Sequence, residues 1–269
     1  MTVVQVEQRT PDAARPAPVL SVRNLSVEYG DVRALEAISF TILRGESVAI
    51  IGSNGAGKST LLKAILGLIR MDSGTVTVHT EHPLPLGYVP QHEGIRLDFP
   101  VTVEDVVMMG RIRQIGWLRA PKRRDWKTVE EAMARTGIVD LRHRQIGELS
   151  GGQRRRAFIA RALAQEAECL LLDEPMSGVD AAAQSDLIDT LHQLSREGIT
   201  IVMTTHDLDL AFRRFDRVMA LRRQLIAFGT PREVYRADVL AQVYNRAVTT
   251  WGNDGEITML VDEHGCGDC

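Results

Sequence analysis

The chain has 269 residues, enough for one large α/β domain or one domain carrying an insertion. A hydrophobic fraction of 44% and a charged fraction of 25% are ordinary for a folded globular protein, and a net charge of −3 argues against a broad nucleic-acid surface. No apolar run approaches the roughly 20 residues of a membrane-spanning helix, the N-terminus lacks the basic-then-apolar layout of a secretion signal, and three cysteines make no disulfide framework, so the expectation is a soluble protein of a reducing cytoplasm.

Residues 1–18 are polar and carry Pro11, Pro16 and Pro18, the composition of a disordered tail. Between residues 19 and 43 two segments alternate apolar and polar positions around a turn at Gly30-Asp31, which predicts strands with one wet face. Residues 47–51 (SVAII) are continuously apolar, as is expected of a strand buried on both faces of a parallel sheet. They lead into Gly52, Ser53, Asn54, Gly55, Ala56, Gly57, Lys58, Ser59 and Thr60, which fit the phosphate-loop pattern G-x-x-x-x-G-K-[ST] at every fixed position. A triphosphate needs many donors at short range. Glycines let successive backbone N–H groups turn inward, and the start of the following helix adds its positive end. Lys58 would reach the β- and γ-phosphates, and the Ser59 hydroxyl would bind Mg²⁺.

A mostly helical stretch is predicted from about 101 to 164. In it Thr102 to Asp105 forms a capping box before an apolar run, and 122–136 holds strong helix formers up to Gly137. Two more apolar runs follow, 169–172 and 200–203, ending in Asp173-Glu174 and Thr205-His206. Ligands of open α/β sheets bind beyond the carboxyl ends of strands, so these ends and the phosphate loop are expected to share one crevice. Residues 181–197 place Leu187, Ile188, Leu191 and Leu194 on one helix face, and 231–235 reads as a short helix with proline in its first turn. After about 248 the pattern fades into a polar, glycine-containing tail.

Adjacent carboxylates at a strand end point to opposite faces and can do different work. Asp173 would hold the Mg²⁺ shell, and Glu174 would face the γ-phosphate and orient or deprotonate the attacking water. His206, in register with the other strand ends, is a candidate γ-phosphate contact, and Gln91 could reach the Mg²⁺ or the water. Leu149 to Gln153 (LSGGQ) has a plain reading, with Ser150 as N-cap and Gln153 as its reciprocal partner. Yet glycine costs about 1 kcal/mol relative to alanine inside a helix, and capping alone does not call for both Gly151 and Gly152. Bare amides at a helix start suggest a second anion site.

With these motifs in this order, from Tyr29 through the phosphate loop, Gln91, Leu149 to Gln153, Asp173-Glu174, Ser177 to Asp180 and His206, the sequence resembles the ATP-binding cassette (ABC) family over about residues 19–244. The resemblance implies an α/β, P-loop NTPase (RecA-like) parallel-sheet core with an antiparallel β subdomain and a helical insertion at about 92–165. A cassette spanning 19–247 would stand between the tails 1–18 and 248–269. It also implies ATP and Mg²⁺, ATPase activity, and two cassettes facing head to tail in a homodimer. Each ATP would then be gripped by the phosphate loop of one copy and by Ser150, Gly151, Gly152 and Gln153 of the other. Tyr29 would stack on adenine, and Asp180 would communicate across the dimer. In the family the Gln91 loop and the insert receive a membrane permease. The insert here, residues 97–119, is similar to that of manganese, zinc and iron importer ATPases. That implies a divalent-metal cargo, an extracytoplasmic metal-binding protein as further partner and a place on the inner face of the cell membrane. Alternatives are the ATPase of a non-metal transporter, and a soluble ABC ATPase of translation or DNA repair. Those soluble proteins usually carry two cassettes or a long coiled-coil insertion, neither of which this sequence shows.

Two further features stand apart. His264, Cys266 and Cys269 offer soft ligands at chelating spacing, with Asp268, Asp262 or the terminal carboxylate as a fourth, and zinc importer ATPases often carry similar tails. A metal there would be regulatory, because cargo ions cross through the permease. The run Arg154 to Arg156 is expected to be a solvated face or a permease contact.

Overall fold

The structure is a computed structural model that describes residues 4–7, 17–80, 85–91, 100–116, 119–244, 249–251 and 258–260. The chain enters as β1 (Val4–Glu7), then runs through two long antiparallel strands, β2 (Pro18–Tyr29) and β3 (Val32–Leu43), joined at the expected turn. Next, β4 (Ser47–Ile51) delivers the chain to the phosphate loop and α1 (Lys58–Ile65). β5 (Ser73–His79) returns antiparallel to β2 and closes a four-stranded sheet of order β1-β5-β2-β3. The stretch read as a disordered tail therefore contains one strand, β1, parallel to β5. An open strand edge offers main-chain donors and acceptors whatever the side chains are, which composition does not reveal.

After β6 (Leu86–Val89) comes the helical insert: α2 (Val103–Met108), α3 (Ile112–Ile115) and α4 (Arg123–Arg135), with α5 (Gly151–Ala164) leading back to the sheet. Then follow β7 (Cys169–Leu172), α6 (Ala181–Arg196), β8 (Thr200–Thr204) and α7 (Leu208–Arg214). The antiparallel pair β9 (Arg217–Arg222) and β10 (Gln224–Gly229) precedes α8 (Pro231–Val234) and α9 (Ala237–Tyr244). In the stretch read as a polar tail, β11 (Thr249–Trp251) and β12 (Thr258–Leu260) pair with each other. Thr102 and Asp105 form the expected capping box of α2, and α6 buries Leu187, Ile188, Leu191 and Leu194, the four residues read as its inner face.

The central sheet has the order β10-β9-β4-β8-β7-β6, all parallel except β10. Its apolar runs serve two cores at once, by strict alternation. Val48, Ile50, Leu171, Val202 and Met219 face α1 and the antiparallel sheet, whereas Ala49, Ile51, Leu170, Leu172 and Met203 face the helices. Burial on both sides is why the interior positions of β4, β7 and β8 are apolar, with Ser47, Thr200 and Thr204 confined to strand ends.

Among the described residues, Arg111 is a charged side chain lying wholly inside the insert, in the short turn between α2 and α3, with 0% exposure. Its Nη1 donates to the Ala164 carbonyl (2.9 Å) and Glu166 Oε2 (2.8 Å), and its Nη2 to Asp125 Oδ1 (3.2 Å). The guanidinium so ties α2, α4 and the end of α5. The backbone N–H of Lys122 and then Arg111 hold the Asp125 carboxyl below its ordinary value against the effect of burial. Removing one member of a buried pair strands the other's charge, at a cost of about 3–5 kcal/mol. Arg111→Ala is expected to lose stability on that scale, read as a lower urea midpoint in equilibrium unfolding of the full chain.

Candidate functional site

The sheet's geometry brings the motifs together. β8 lies between β4 and β7, so the loop after β4 and the acidic pair after β7 flank the end of β8. In the phosphate loop two glycines are sterically required. A Cβ on Gly52 would lie 2.4 Å from the Leu221 carbonyl oxygen. Gly57, at φ 99°, would place a Cβ 2.8 Å from the Ala34 carbonyl oxygen and 2.6 Å from Leu35 Cδ2. Gly57 caps α1, whose first residues Lys58 and Ser59 are aimed at the crevice.

Lys58 is only 6% exposed. Its Nζ donates to the Gly52 carbonyl (2.8 Å) and to that of Ser53 (3.4 Å), and lies 3.7 Å from Glu174 Oε1. Burial lowers its pKa from the ordinary lysine value, while the negative charges of Glu174 and Asp173 push back upward. Asp173, 3% exposed, accepts through Oδ1 from the Ser59 hydroxyl (3.0 Å) and the Thr204 hydroxyl (2.8 Å). Glu174 Oε2 accepts from Gln91 Nε2 (3.0 Å), and the Glu174 N–H donates to Thr204 Oγ1 (2.8 Å). Lys58, Ser59, Gln91, Asp173 and Glu174, with Thr204 between the two carboxylates, thus form one connected cluster drawn from three strand ends and a helix start. His206 follows β8 with its side chain exposed, and Tyr29 at the end of β2 is 50% exposed.

The LSGGQ segment begins α5 with both halves of the expected capping box. Gln153 N–H donates to Ser150 Oγ (3.3 Å), and Ser150 N–H to Gln153 Oε1 (3.1 Å). Gly152 has a packing reason that the sequence hides: a Cβ there would lie 2.6 Å from the Ala183 Cβ on α6. Gly151 is exposed, against the carbonyl of Gly178 in the turn before α6, and Asp180 ends that turn as the N-cap of α6, accepting from Ala183 N–H (3.0 Å). Among the described residues no hydrogen bond or ion pair joins Ser150–Gln153 to the phosphate loop or to Asp173 and Glu174.

One expectation is corrected. Arg155, read with its neighbours as a solvated face or permease contact, is buried and donates to the carbonyls of Pro90 (2.9 Å) and Gln91 (3.4 Å). It lies on the inner side of α5, where a guanidinium can satisfy the main chain that leaves β6. Sequence reasoning also passed over Thr204 and Tyr88. The Tyr88 phenol faces Asp173, its pKa pushed up to about 12 by burial first and then by the Asp173 charge and hydrogen bond. The signal for Thr204 was a hydroxyl one step beyond the apolar run 200–203, level with Asp173 in the sheet. On the insert, Met108, Met109, Ile112, Ile115 and Pro121 line a groove of about 420 Å³, with Met109 and Ile112 exposed. Among the described residues no helix is long and apolar enough to cross a membrane, and no group of three or more His, Cys, Asp or Glu could hold a metal ion. His264, Cys266 and Cys269 lie outside the described residues.

A glycine loop opening a helix, a buried lysine beneath it and an acidic strand end beside it define a nucleotide-binding protein of the phosphate-loop class. The family profile "ABC transporter" matches residues 35–177. The chain is 45% identical to the manganese transport system ATP-binding protein MntB of Halalkalibacterium halodurans, over 90% of this chain and 98% of that one. It is 38% identical to the zinc transport system ATP-binding protein TroB of Treponema pallidum, over 87% and 90%. A solved structure of CbiO1 from Clostridium perfringens, part of the ABC transporter complex CbiONQ, superposes with a TM-score of 0.71 at 32% identity, covering 84% of this chain and 94% of that one. The chain belongs to the ABC transporter family. It binds nucleotide and hydrolyses ATP as the ATPase subunit of a transporter complex, and its fold is the α/β P-loop fold expected from the sequence.

The loop's steric demands are unequal, which makes a paired test. An L-residue in the left-handed region pays about 1–2 kcal/mol, and at Gly57 the clash with Ala34 and Leu35 adds to this, whereas a Cβ on Gly55 (φ 76°) meets nothing within 4 Å. Gly57→Ala is therefore expected to lower the melting temperature of the nucleotide-free chain clearly more than Gly55→Ala, in parallel calorimetric scans.

Proposed function

We propose that the chain powers passage of a divalent metal ion of the manganese, zinc or iron type through a separate membrane permease, from the inner face of the cell membrane. The observation that carries this cargo is the 45% identity, over nearly the whole length, to a protein named for manganese transport, supported by the zinc-named relative. Residues 19–247 constitute the cassette, with the insert at about 92–165. The exposed groove at Met109 and Ile112 receives the permease, because an exposed apolar groove calls for a partner. An extracytoplasmic metal-binding protein supplies the permease from the other side.

Within the site, backbone amides of Gly52 to Thr60 and the Lys58 ammonium hold the β- and γ-phosphates. Ser59 and Asp173 supply hard oxygen donors side by side and fit Mg²⁺, with Gln91 at the rim. That ion, when bound, neutralises phosphate charge. Glu174 takes the proton of the attacking water, Gln91 holds the Glu174 carboxylate on course, and His206 contacts the γ-phosphate. Tyr29, exposed at the end of β2, stacks on adenine. A second copy of the chain, facing head to tail, completes the site with Ser150, Gly151, Gly152 and Gln153, and Asp180 lies at that junction. The exposed start of α5, with its bare Gly151, supports this reading.

General-base catalysis contributes about 10²–10⁴-fold. Glu174→Gln is expected to lower ATP turnover by at least the smaller factor, keep ATP binding, and elute as a dimer with ATP. Undiminished turnover in that variant refutes the general-base role. For the cargo, deletion of the gene should abolish energy-dependent uptake of one of Mn²⁺, Zn²⁺ or Fe²⁺, restored by the parent but not by Glu174→Gln. Unchanged uptake of all three refutes the metal assignment and leaves the ATPase chemistry standing.

A further inference from the structure

Thr204 is wholly buried at the last position of β8, paired in register with Ile50 of β4, with Met203 beside Leu172 of β7. It stands between the phosphate loop and the acidic strand end. Its hydroxyl makes two short contacts, 2.8 Å to Asp173 Oδ1 and 2.8 Å from the Glu174 backbone nitrogen. The roles are fixed by chemistry. An ionised carboxylate only accepts, so the hydroxyl proton goes to Asp173, and its oxygen lone pair takes the Glu174 N–H. One hydroxyl is thus bonded to both members of the acidic pair.

The two bonds have different consequences. Asp173 Oδ1 is shared between Thr204 and Ser59, so Thr204 holds that oxygen against the Ser59 hydroxyl. Glu174 has φ 44°, a left-handed backbone rarely adopted by a side-chain-bearing residue and strained for one. Its N–H bond to Thr204 is part of what holds that conformation. From it the Glu174 carboxylate reaches Gln91 Nε2 at 3.0 Å and approaches Lys58 Nζ at 3.7 Å. Without the hydroxyl, Asp173 Oδ1 keeps only the Ser59 hydroxyl of these two donors, and the Glu174 N–H loses its acceptor.

We infer that Thr204 is a positioning residue for ATP hydrolysis, setting through one hydroxyl both the Asp173 oxygen that faces Ser59 and the backbone from which Glu174 acts. This inference rests on the reading of Asp173 and Glu174 given above. It assigns Thr204 no contact with nucleotide. Its signature is therefore a loss in kcat and in divalent-cation dependence without a matching change in KM for ATP.

The test compares Thr204→Val, which keeps the shape and removes the hydroxyl, with Thr204→Ser, which keeps the hydroxyl, in the full-length chain assembled with its permease. Glu174→Gln runs alongside. Because it removes a hydrogen bond to a charged group, Thr204→Val is expected to lower kcat by roughly tenfold or more. The Mg²⁺ concentration for half-maximal turnover should rise, while KM for ATP stays within about twofold, a difference of under about 0.5 kcal/mol. Thr204→Ser is expected to restore most of the kcat. Unchanged kcat in Thr204→Val overturns the inference. So does Thr204→Ser as impaired as Thr204→Val, which makes the methyl group the operative feature. A loss of kcat accompanied by equal loss of ATP affinity and a lowered melting temperature also overturns it, as general damage. If Glu174→Gln turns over normally, the reading of the acidic pair falls and Thr204 with it. If Glu174→Gln is inactive while Thr204→Val matches the parent, only the Thr204 inference is lost.

Discussion

An ammonium and two carboxylates meet where there is little water, and the rest of the site is the means of making that tolerable. Lys58 and Asp173 are almost fully buried, and a charge taken from water unpaired costs several kcal/mol. The loop's own carbonyls and Glu174 answer the Lys58 charge, and two hydroxyls answer that of Asp173. Only a glycine loop brings backbone carbonyls so close beneath a lysine, and only a strand between β4 and β7 brings Thr204 between the loop and the acids. The compensation at Lys58 is incomplete, since burial still lowers its pKa on balance. That imbalance favours an added anion, which is the electrostatic condition for taking up a phosphate.

The two cores on either face of the central sheet explain how such a rigid site meets a partner elsewhere on the chain. The α1 face packs against the antiparallel sheet, and the other face against α5, α6 and the insert. Two buried guanidiniums tie parts of this second layer together. Arg111 fastens α2 to α4 and the end of α5, and Arg155 fastens α5 to the carbonyls of Pro90 and Gln91. From Gln91 the next bond reaches Glu174. The helix that begins with the LSGGQ segment is therefore connected through a buried guanidinium to the loop touching the proposed general base. These contacts join the insert, α5 and the Gln91 loop to the carboxylate proposed as general base in one continuous set.

Much of this was legible in the sequence because its cause is local. A strand buried on both faces must read as an unbroken apolar run, and β4, β7 and β8 did. A phosphate loop must have glycine where Gly52 and Gly57 meet backbone from β9 and β3, although the motif does not say which carbonyls impose it. What escaped depends on partners distant in sequence. Arg155 sits in a run of three arginines, and only the placement of α5 against β6 shows that one of them points inward. Arg111 is an ordinary basic residue until α4 and α5 close around it. β1 was missed because edge pairing depends on main chain rather than on side-chain pattern, and Thr204 because a lone hydroxyl after an apolar run has many uses.

Gly152 sharpens the question of what the LSGGQ segment is for. Two glycines in the first turn of a helix suggested an anion site, yet one of them is explained by contact with Ala183 on α6. The capping box explains Ser150 and Gln153 as well. The weight then falls on Gly151, exposed at the positive end of a 14-residue helix and next to the turn that joins Asp173-Glu174 to α6. In the proposed function this capped helix start, packed from below and bare on its outer side, receives an anion from outside its own chain. Phosphate held in this chain's own loop makes no use of it, since no bond among the described residues links the two. In the proposed head-to-tail pair, the rigidity that Gly152 provides is what lets the partner's γ-phosphate meet amides already in place. The same packing against α6 then ties the motif's position to that of the Asp180 turn, so that both would move as one piece when the two copies close.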